Sequence, residues 1–258
     1  MTSLDVAGPL TGRAVLVTGA SSGIGRAIAR ACAAAGADVA LTFQTNEAGA
    51  RGVEHEIVEM GRRAAVLPLD LALETSVHAV GPAAREALGR LDVWINNAGA
   101  DILTGSAAAL STLQKLDRLL TVDLRGTMLA SWEAADILGA QDEGGVIINM
   151  SWDHVLTGMA GENPQLYSAV KGGVLAFSKS LARSVAPRVR VNVLAPGWIE
   201  TSFGAGADEH LRRDVVESTP LKRWGRPEDV AGAAVFLASP AAAFLTGQMI
   251  LVGGGVVM

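Results

Sequence analysis

Short β-branched, apolar runs alternate along the chain with longer Ala-rich stretches. The strand candidates are Ala14–Thr18, Val39–Phe43, Ala64–Leu69, Val93–Asn96, Val146–Met150, Val189–Leu194 and Met249–Val252. Between them Gly25–Ala35, Glu47–Met60, Glu74–Leu88, Thr112–Leu138, Tyr167–Val185 and Pro227–Leu237 suit helices. Regular alternation of β and α predicts an α/β fold, a parallel sheet covered by helices on both faces. Right-handed crossovers make that sheet doubly wound, here with seven strands. No repeat, low-complexity tract or linker interrupts the pattern, and 258 residues suit one α/β domain. The segment 201–219 mixes charge and glycine and breaks the alternation. It is expected as a helical excursion over the strand ends, a substrate lid at about 199–219.

Composition narrows the classes. Half of the residues are hydrophobic, which argues against disorder. A net charge of −5 argues against nucleic acid or an anionic membrane surface as the main partner. No apolar stretch reaches the ~20 residues that span a bilayer. Met1–Thr11 lacks a basic segment followed by an apolar run, so no signal peptide is expected there. Cys32 is the only cysteine, so no intrachain disulfide can form and a reducing cytoplasm is the default location. It lies in an Ala-rich helical stretch, as a small core residue does. His55, His78, His154 and His210 form no metal-ligand pattern, and no metal is expected.

Candidate chemistry begins with Tyr167 and Lys171, four residues apart and so on one helix face, one turn from each other. A phenol with its ordinary pKa near ~10 exchanges protons poorly at neutral pH. A neighbouring ammonium favours the phenolate, and a tuned phenol serves as a general acid or base in carbonyl chemistry. Upstream, Thr18-Gly19-Ala20-Ser21-Ser22-Gly23-Ile24-Gly25 joins a strand to a helix. Glycines there let the backbone approach a pyrophosphate, and the helix start offers free N–H groups. The spacing is G-x-x-x-G-x-G, not the commoner G-x-G-x-x-G.

The end of the second strand decides the nucleotide. An acid there binds the ribose 2′-hydroxyl of NAD. Here the strand runs Leu41-Thr42-Phe43-Gln44-Thr45-Asn46 without one. No arginine is present to hold a 2′-phosphate, but Gln44, Thr45 and Asn46 offer donors. NADP(H) is favoured and NAD(H) remains possible. Asp70, followed by Leu71 after the third strand, is placed to accept from an adenine amino group, or else starts the next helix.

These motifs resemble those of the short-chain dehydrogenase/reductase family over nearly the whole chain. They occur in order as Thr18-Gly19-x-x-x-Gly23-x-Gly25, Asn96-Asn97-Ala98-Gly99, Tyr167-x-x-x-Lys171 and Pro196-Gly197-Trp198-Ile199-Glu200-Thr201. The segments Arg223-Trp224-Gly225-Arg226-Pro227-Glu228-Asp229-Val230 and Phe244-Leu245-Thr246-Gly247-Gln248 resemble the 3-oxoacyl-carrier-protein reductase and glucose dehydrogenase branch. The resemblance implies a Rossmann fold, a nicotinamide cofactor, a small-molecule substrate and a homotetramer or homodimer. It implies that Asn97, Ala98 and Gly99 flank the adenine ribose. Tyr167 becomes the general acid/base, Lys171 holds the nicotinamide ribose, and Ile199 and Thr201 touch the carboxamide.

Two positions depart from the family. Where it usually carries asparagine in V-N-L-x-G, this chain has Val122-Asp123-Leu124-Arg125-Gly126. Asp123 could accept from a relay water, pair with Lys171, or stand as a solvated helix charge. The family's serine stands three residues after the position of Asn149, which gives Trp152, and thirteen before the tyrosine, which gives His154. The loop is therefore two residues longer than usual. Ser151, a protonated Asp153 or His154 could each supply the missing donor, Asp153 in the manner of pteridine reductases. Asp101–Leu103, Trp152–Met159, Trp198 and the 201–219 excursion are expected to line the substrate pocket, and Trp152, Trp198, Leu156 and Met159 make its wall apolar and bulky, which favours ring systems or medium-chain carbonyls over sugars.

The functional expectation is a carbonyl reductase or alcohol dehydrogenase. The alternatives are a pterin-type C=N reductase using Asp153, a non-catalytic NADP-binding protein, and a lyase or epimerase.

Overall fold

The computed structural model describes residues 8–258. Most of Met1–Thr11, the stretch that lacks signal-peptide character, lies outside the described residues. The strands are β1 (Ala14–Val17), β2 (Asp38–Phe43), β3 (Ala64–Pro68), β4 (Val93–Asn96), β5 (Gly145–Met150), β6 (Val189–Pro196) and β7 (Met249–Val252). They form one seven-stranded sheet in the order β3-β2-β1-β4-β5-β6-β7, every pair parallel. The strand order reverses between β1 and β4. The carboxyl ends of these two strands open a crevice there, the usual ligand site of such sheets.

The helices are α1 (Gly23–Ala34), α2 (Glu47–Glu59), α3 (Glu74–Leu88), α4 (Thr112–Leu119), α5 (Thr127–Gly139), α6 (Glu162–Val185), α7 (Ser202–Ala205), α8 (Glu209–Ser218) and α9 (Pro227–Ala238). Two apolar cores lie on opposite faces of the sheet. Ile28, Val53, Ile57, Val230 and Leu237 belong to one, under α1, α2 and α9. Val77, Val80, Leu88, Ala130 and Leu138 belong to the other, under α3 and α5. Each fully buried Leu or Ile stabilises the fold by roughly 1.5–3 kcal/mol. Gly81 shows how tightly α3 packs, because a Cβ there would sit 2.9 Å from the ring of Trp94.

Two helices differ from their sequence patterns. The expected single helix Thr112–Leu138 is interrupted by a π-helical segment, Leu120–Gly126, between α4 and α5. α6 begins at Glu162 rather than at Tyr167, after Gly161 with φ 122°. Its first turn is polar and contains Pro164, so apolar periodicity does not reveal it; proline is tolerated there because the first N–H groups of a helix lack partners anyway. The excursion expected after β6 contains α7 and α8. The Asp208 side chain caps α8 by accepting from the Leu211 N–H at 2.8 Å. Among the described residues no helix is long and apolar enough to cross a membrane, and no group of potential metal ligands gathers.

Candidate active site

The turn from β1 to α1 is shaped by its glycines. Gly19 and Gly23 have φ of 65° and 54°, a left-handed conformation that other residues rarely adopt. A Cβ on Gly25 would meet the Gly19 carbonyl and lie 2.5 Å from Asn97 Nδ2. The turn is tied to its neighbours. Gly19 N–H donates to Thr42 Oγ1 at 3.1 Å, and Asn97 Nδ2 donates to Thr18 O and Gly19 O at 3.0 and 3.2 Å. The N–H groups of Asn97 and Ala98 both donate to Thr18 Oγ1 at 2.9 Å. Ser22 stands at the N-cap of α1 with extended backbone and makes no side-chain cap bond. The first N–H groups of α1 are therefore left by their cap for a ligand, and the positive end of the helix favours an anion.

A groove of about 320 Å³ lies over this turn. Gly19, Ser21, Ser22, Ile24, Gly25, Phe43, Gln44, Thr45, Asp70, Leu71, Asn97, Ala98 and Gly99 line it. Gly23 shapes the turn without lining the groove. The sequence does not single out Thr42, Leu69 and Val122, which also line it. Asp70 does not start α3, whose N-cap is Leu73; its Oδ1 accepts from the Ala72 N–H at 2.9 Å in the turn before the helix, and the residue lines the groove. A close-packed glycine cradle, unclaimed N–H donors and a polar groove suit a dinucleotide.

The groove meets a second cavity of about 600 Å³, with Ile24, Asn97 and Gly99 lining both. Tyr167 and Lys171 line the second cavity, together with Ser151, Trp152, Pro196, Gly197, Trp198, Ile199 and Thr201. Thr201 Cγ2 lies 3.7 Å from where a Gly23 Cβ would be, so the loop after β6 closes over the start of α1. Asp101, Leu103 and Met159 are part of the wall as expected, whereas Leu156 is not. Ile102 and, from the excursion after β6, Ser202 and Leu211 also belong to the expected wall; the sequence does not single out Ala100, Thr104, Asn163 and Pro164, which come from separate segments.

Lys171 is nearly fully buried, and its Nζ lies 5.6 Å from the centroid of the Tyr167 ring. The same Nζ makes an ion pair with Asp123 Oδ2 at 2.8 Å and a long hydrogen bond to Met150 O at 3.4 Å. Asp123 is fully buried, and its Oδ1 accepts from the Ala100 N–H at 2.7 Å. It is not a solvated helix charge, because the π segment turns it inward. Gly99 leaves room for it, since a Cβ there would sit 2.8 Å from Asp123 Oδ2.

These contacts correct the simple expectation for the phenol. Burial pushes Tyr167 above its usual range; Lys171 pulls it down, and Asp123 pushes it back up. Burial also works to lower Lys171, but Asp123 and Tyr167 together outweigh it and hold the ammonium above its usual range.

The loop after β5 resolves the missing serine. Ser151 lines the cavity, but its hydroxyl donates to Lys171 O at 2.9 Å and so ties the loop to α6. Trp152 occupies the wall beside Tyr167, with ring centroids 5.7 Å apart and an edge-on angle of 86°. Asp153 and His154 do not line the cavity; a short 3-10 turn, Asp153–Val155, carries them behind Trp152. Asp153 is fully buried. Its Oδ1 accepts from the His154 N–H at 2.7 Å and lies 2.6 Å from His154 Nδ1. Its Oδ2 makes no hydrogen bond and packs on Gly197 and Gly253. Burial raises the Asp153 carboxyl, and His154 opposes the shift. His154 stacks on Trp152 at 4.9 Å instead of facing a substrate. The pterin-type arrangement with Asp153 as donor is thus not the one this loop adopts.

Comparison with known proteins follows the same lines. The family described as Enoyl-(Acyl carrier protein) reductase matches residues 19–257. The chain is 37% identical over 248 residues to the 3-oxoacyl-(acyl-carrier-protein) reductase FabG of Aquifex aeolicus (strain VF5), covering 95% of this chain and 98% of that one. Its structure is similar to that of a short chain dehydrogenase from Burkholderia cenocepacia J2315 in complex with NADP. There the TM-score is 0.86, the identity 34%, and the cover 96% of this chain and 99% of that one. It is also similar to a 7 alpha-hydroxysteroid dehydrogenase complexed with NADH and 7-oxo glycochenodeoxycholic acid. That match has a TM-score of 0.86 and 29% identity, covering 96% of this chain and 95% of the other. The glycine turn, the Tyr167–Lys171 pair and these likenesses along almost the whole length agree: the chain is an oxidoreductase of the short-chain dehydrogenase/reductase family.

Proposed function

We propose that the protein interconverts a carbonyl and an alcohol, with NADP(H) favoured over NAD(H) and Tyr167 as general acid/base. The observation that carries this reading is the position of Tyr167 and Lys171 in the cavity that adjoins the glycine-turn groove. A bound nicotinamide would supply or take up the hydride at the substrate carbon. The N–H groups at the start of α1 would hold the pyrophosphate. Asn97, Ala98 and Gly99 would flank the adenine ribose, Lys171 the nicotinamide ribose, and Ile199 and Thr201 the carboxamide.

Tyr167 would move a proton to or from the substrate oxygen. Its raised affinity for that proton keeps the phenol neutral at neutral pH, ready to donate during reduction. The preference for NADP is supported by the end of β2. Gln44 and Thr45 face the groove, and among its described lining residues Asp70, after β3, is the only carboxylate. Titration with NADPH and NADH, read by fluorescence, tests the preference. A carbonyl panel followed by absorbance of the reduced nicotinamide tests turnover. An unchanged rate in Tyr167→Phe overturns the proton-transfer assignment.

A homodimer or homotetramer in a reducing cytoplasm completes the reading. Trp132 on α5 is 46% exposed and meets Phe177 of α6 edge-on at 5.6 Å. Such exposed aromatic surface suits an interface between copies. Light scattering gives the assembly mass directly, and a monomer would refute this part.

A further inference from the structure

We propose that Trp152 is the specificity-determining residue of this site, and that the substrate is an uncharged ketone, or its secondary alcohol, on a rigid apolar ring system. The inference rests on the carbonyl–alcohol reading above.

Charge excludes one class. Among the described residues lining the catalytic cavity, only Asp101 and Lys171 are charged. Lys171 is committed to Asp123 at 2.8 Å. Asp101 accepts from the N–H groups of Leu103 and Thr104 at 2.8 and 3.0 Å and from the Thr104 hydroxyl. No free cation therefore awaits a carboxylate or phosphate in the cavity, and an anionic substrate would be desolvated beside Asp101 without a partner. Polyhydroxylated substrates fare little better. Asn163 Oδ1 already accepts from Lys115 at 3.2 Å, and the Ser151 hydroxyl proton is given to the Lys171 carbonyl.

Shape and rigidity select within the neutral class. Ile102, Leu103, Met150, Trp152, Trp198 and Leu211 make the wall mostly apolar. Trp152 is held from two sides, stacked on His154 at 26° and edge-on to Tyr167. His154 is in turn fixed by the fully buried Asp153 through its backbone N–H and its ring. The second indole, Trp198, packs on Trp224 at 5.7 Å and approaches His154 at 6.3 Å. Asp153 and His154 are thus positioning residues. They brace an aromatic surface that is already ordered next to the proton donor. A preorganised flat wall favours a ligand that is itself rigid, since neither partner loses much freedom on contact.

The test is steady-state reduction with saturating NADPH. The panel holds an uncharged polycyclic ketone, an acyclic ketone and an anionic 3-oxo acid of matched carbon number. The polycyclic ketone is expected to lead in kcat/KM by about tenfold, and Trp152→Ala to compress that lead by about tenfold, mostly through KM. Asp153→Asn should compress it in the same direction. A lead for the acid or the acyclic ketone overturns the proposal, as does a Trp152→Ala effect equal on all three. Should Trp152→Ala not fold, Trp152→Phe must shift the same ratio, and an unmoved ratio overturns the proposal. If no ketone turns over with either nicotinamide, the carbonyl reading fails, and binding decides this inference separately. The polycyclic ketone should then raise the thermal midpoint of the NADP-saturated wild type more than the matched acid does; no such difference overturns it.

Discussion

Lys171 Nζ lies 2.8 Å from Asp123 Oδ2, inside the protein and one helical turn from Tyr167. The family's usual asparagine at this position is neutral, so this chain places a carboxyl side chain against its buried lysine. Asp123 raises the phenol and Lys171 lowers it. Asp123→Asn removes the raising charge and also lets burial lower Lys171; in the pH range where Lys171 is still an ammonium, it keeps pulling the phenol down. The pH at which alcohol oxidation gains its deprotonated phenol should therefore fall by about one unit, the low end of a close-charge effect. The pH profile of kcat/KM for oxidation measures it, and a profile that stays in place or moves to higher pH refutes the coupling.

Alkaline stability follows from the same pair. Tyr167 and Lys171 both bind their protons more tightly in the folded protein than their ordinary values near ~10 and ~10.4. Their stabilising contribution is complete below those values and is lost as pH rises through the raised folded ones. The thermal midpoint of the wild type should fall steeply above pH ~10. Lys171→Met, which has no proton to lose there, should show a shallower fall. Equal slopes in calorimetry would contradict the assignment.

Ser151 is expected to serve structure more than chemistry. Ser151→Ala removes the hydroxyl that meets the Lys171 carbonyl and should cost about 1 kcal/mol of stability. Its kcat should fall by less than about a hundredfold, the lower range for loss of an oxyanion donor. A larger fall, with substrate-sized effects and an unchanged thermal midpoint, would show that the hydroxyl turns to the carbonyl during reaction.

Gly25→Ala tests the nucleotide groove. A Cβ there would crowd the Gly19 carbonyl and the Asn97 amide, so the turn has to open. NADPH affinity should drop by at least about tenfold, equivalent to the loss of one well-placed contact of roughly 1.4 kcal/mol. Fluorescence titration reads this directly, and unchanged affinity would remove the turn from the binding site.

Much of this was legible before the structure because it is local. The strands are short apolar runs, and the groove over the glycine turn is built mostly from residues at or just after the ends of β1, β2, β3 and β4. The rest depends on how distant segments meet. Asn163 and Pro164 share a cavity wall with Ala100 and Thr104 only after folding. Asp153 and His154 carry chemistry-bearing side chains, yet a three-residue 3-10 turn decides that they face the core. The early start of α6 was hidden because Glu162, Asn163 and Pro164 show no apolar periodicity. Val122-Asp123-Leu124 likewise gives no sign of a π segment.

That π segment fixes more than one side chain. A turn closed by i→i+5 bonds holds one residue beyond the α-helical count, and each residue advances a helix by about 100°. α4 and α5 are therefore out of phase with each other by roughly that angle. Removing a single residue between Leu120 and Gly126 would bring them back into step and swing position 123 toward another face, with its sequence otherwise untouched. The inward aspartate is a matter of counting as much as of chemistry.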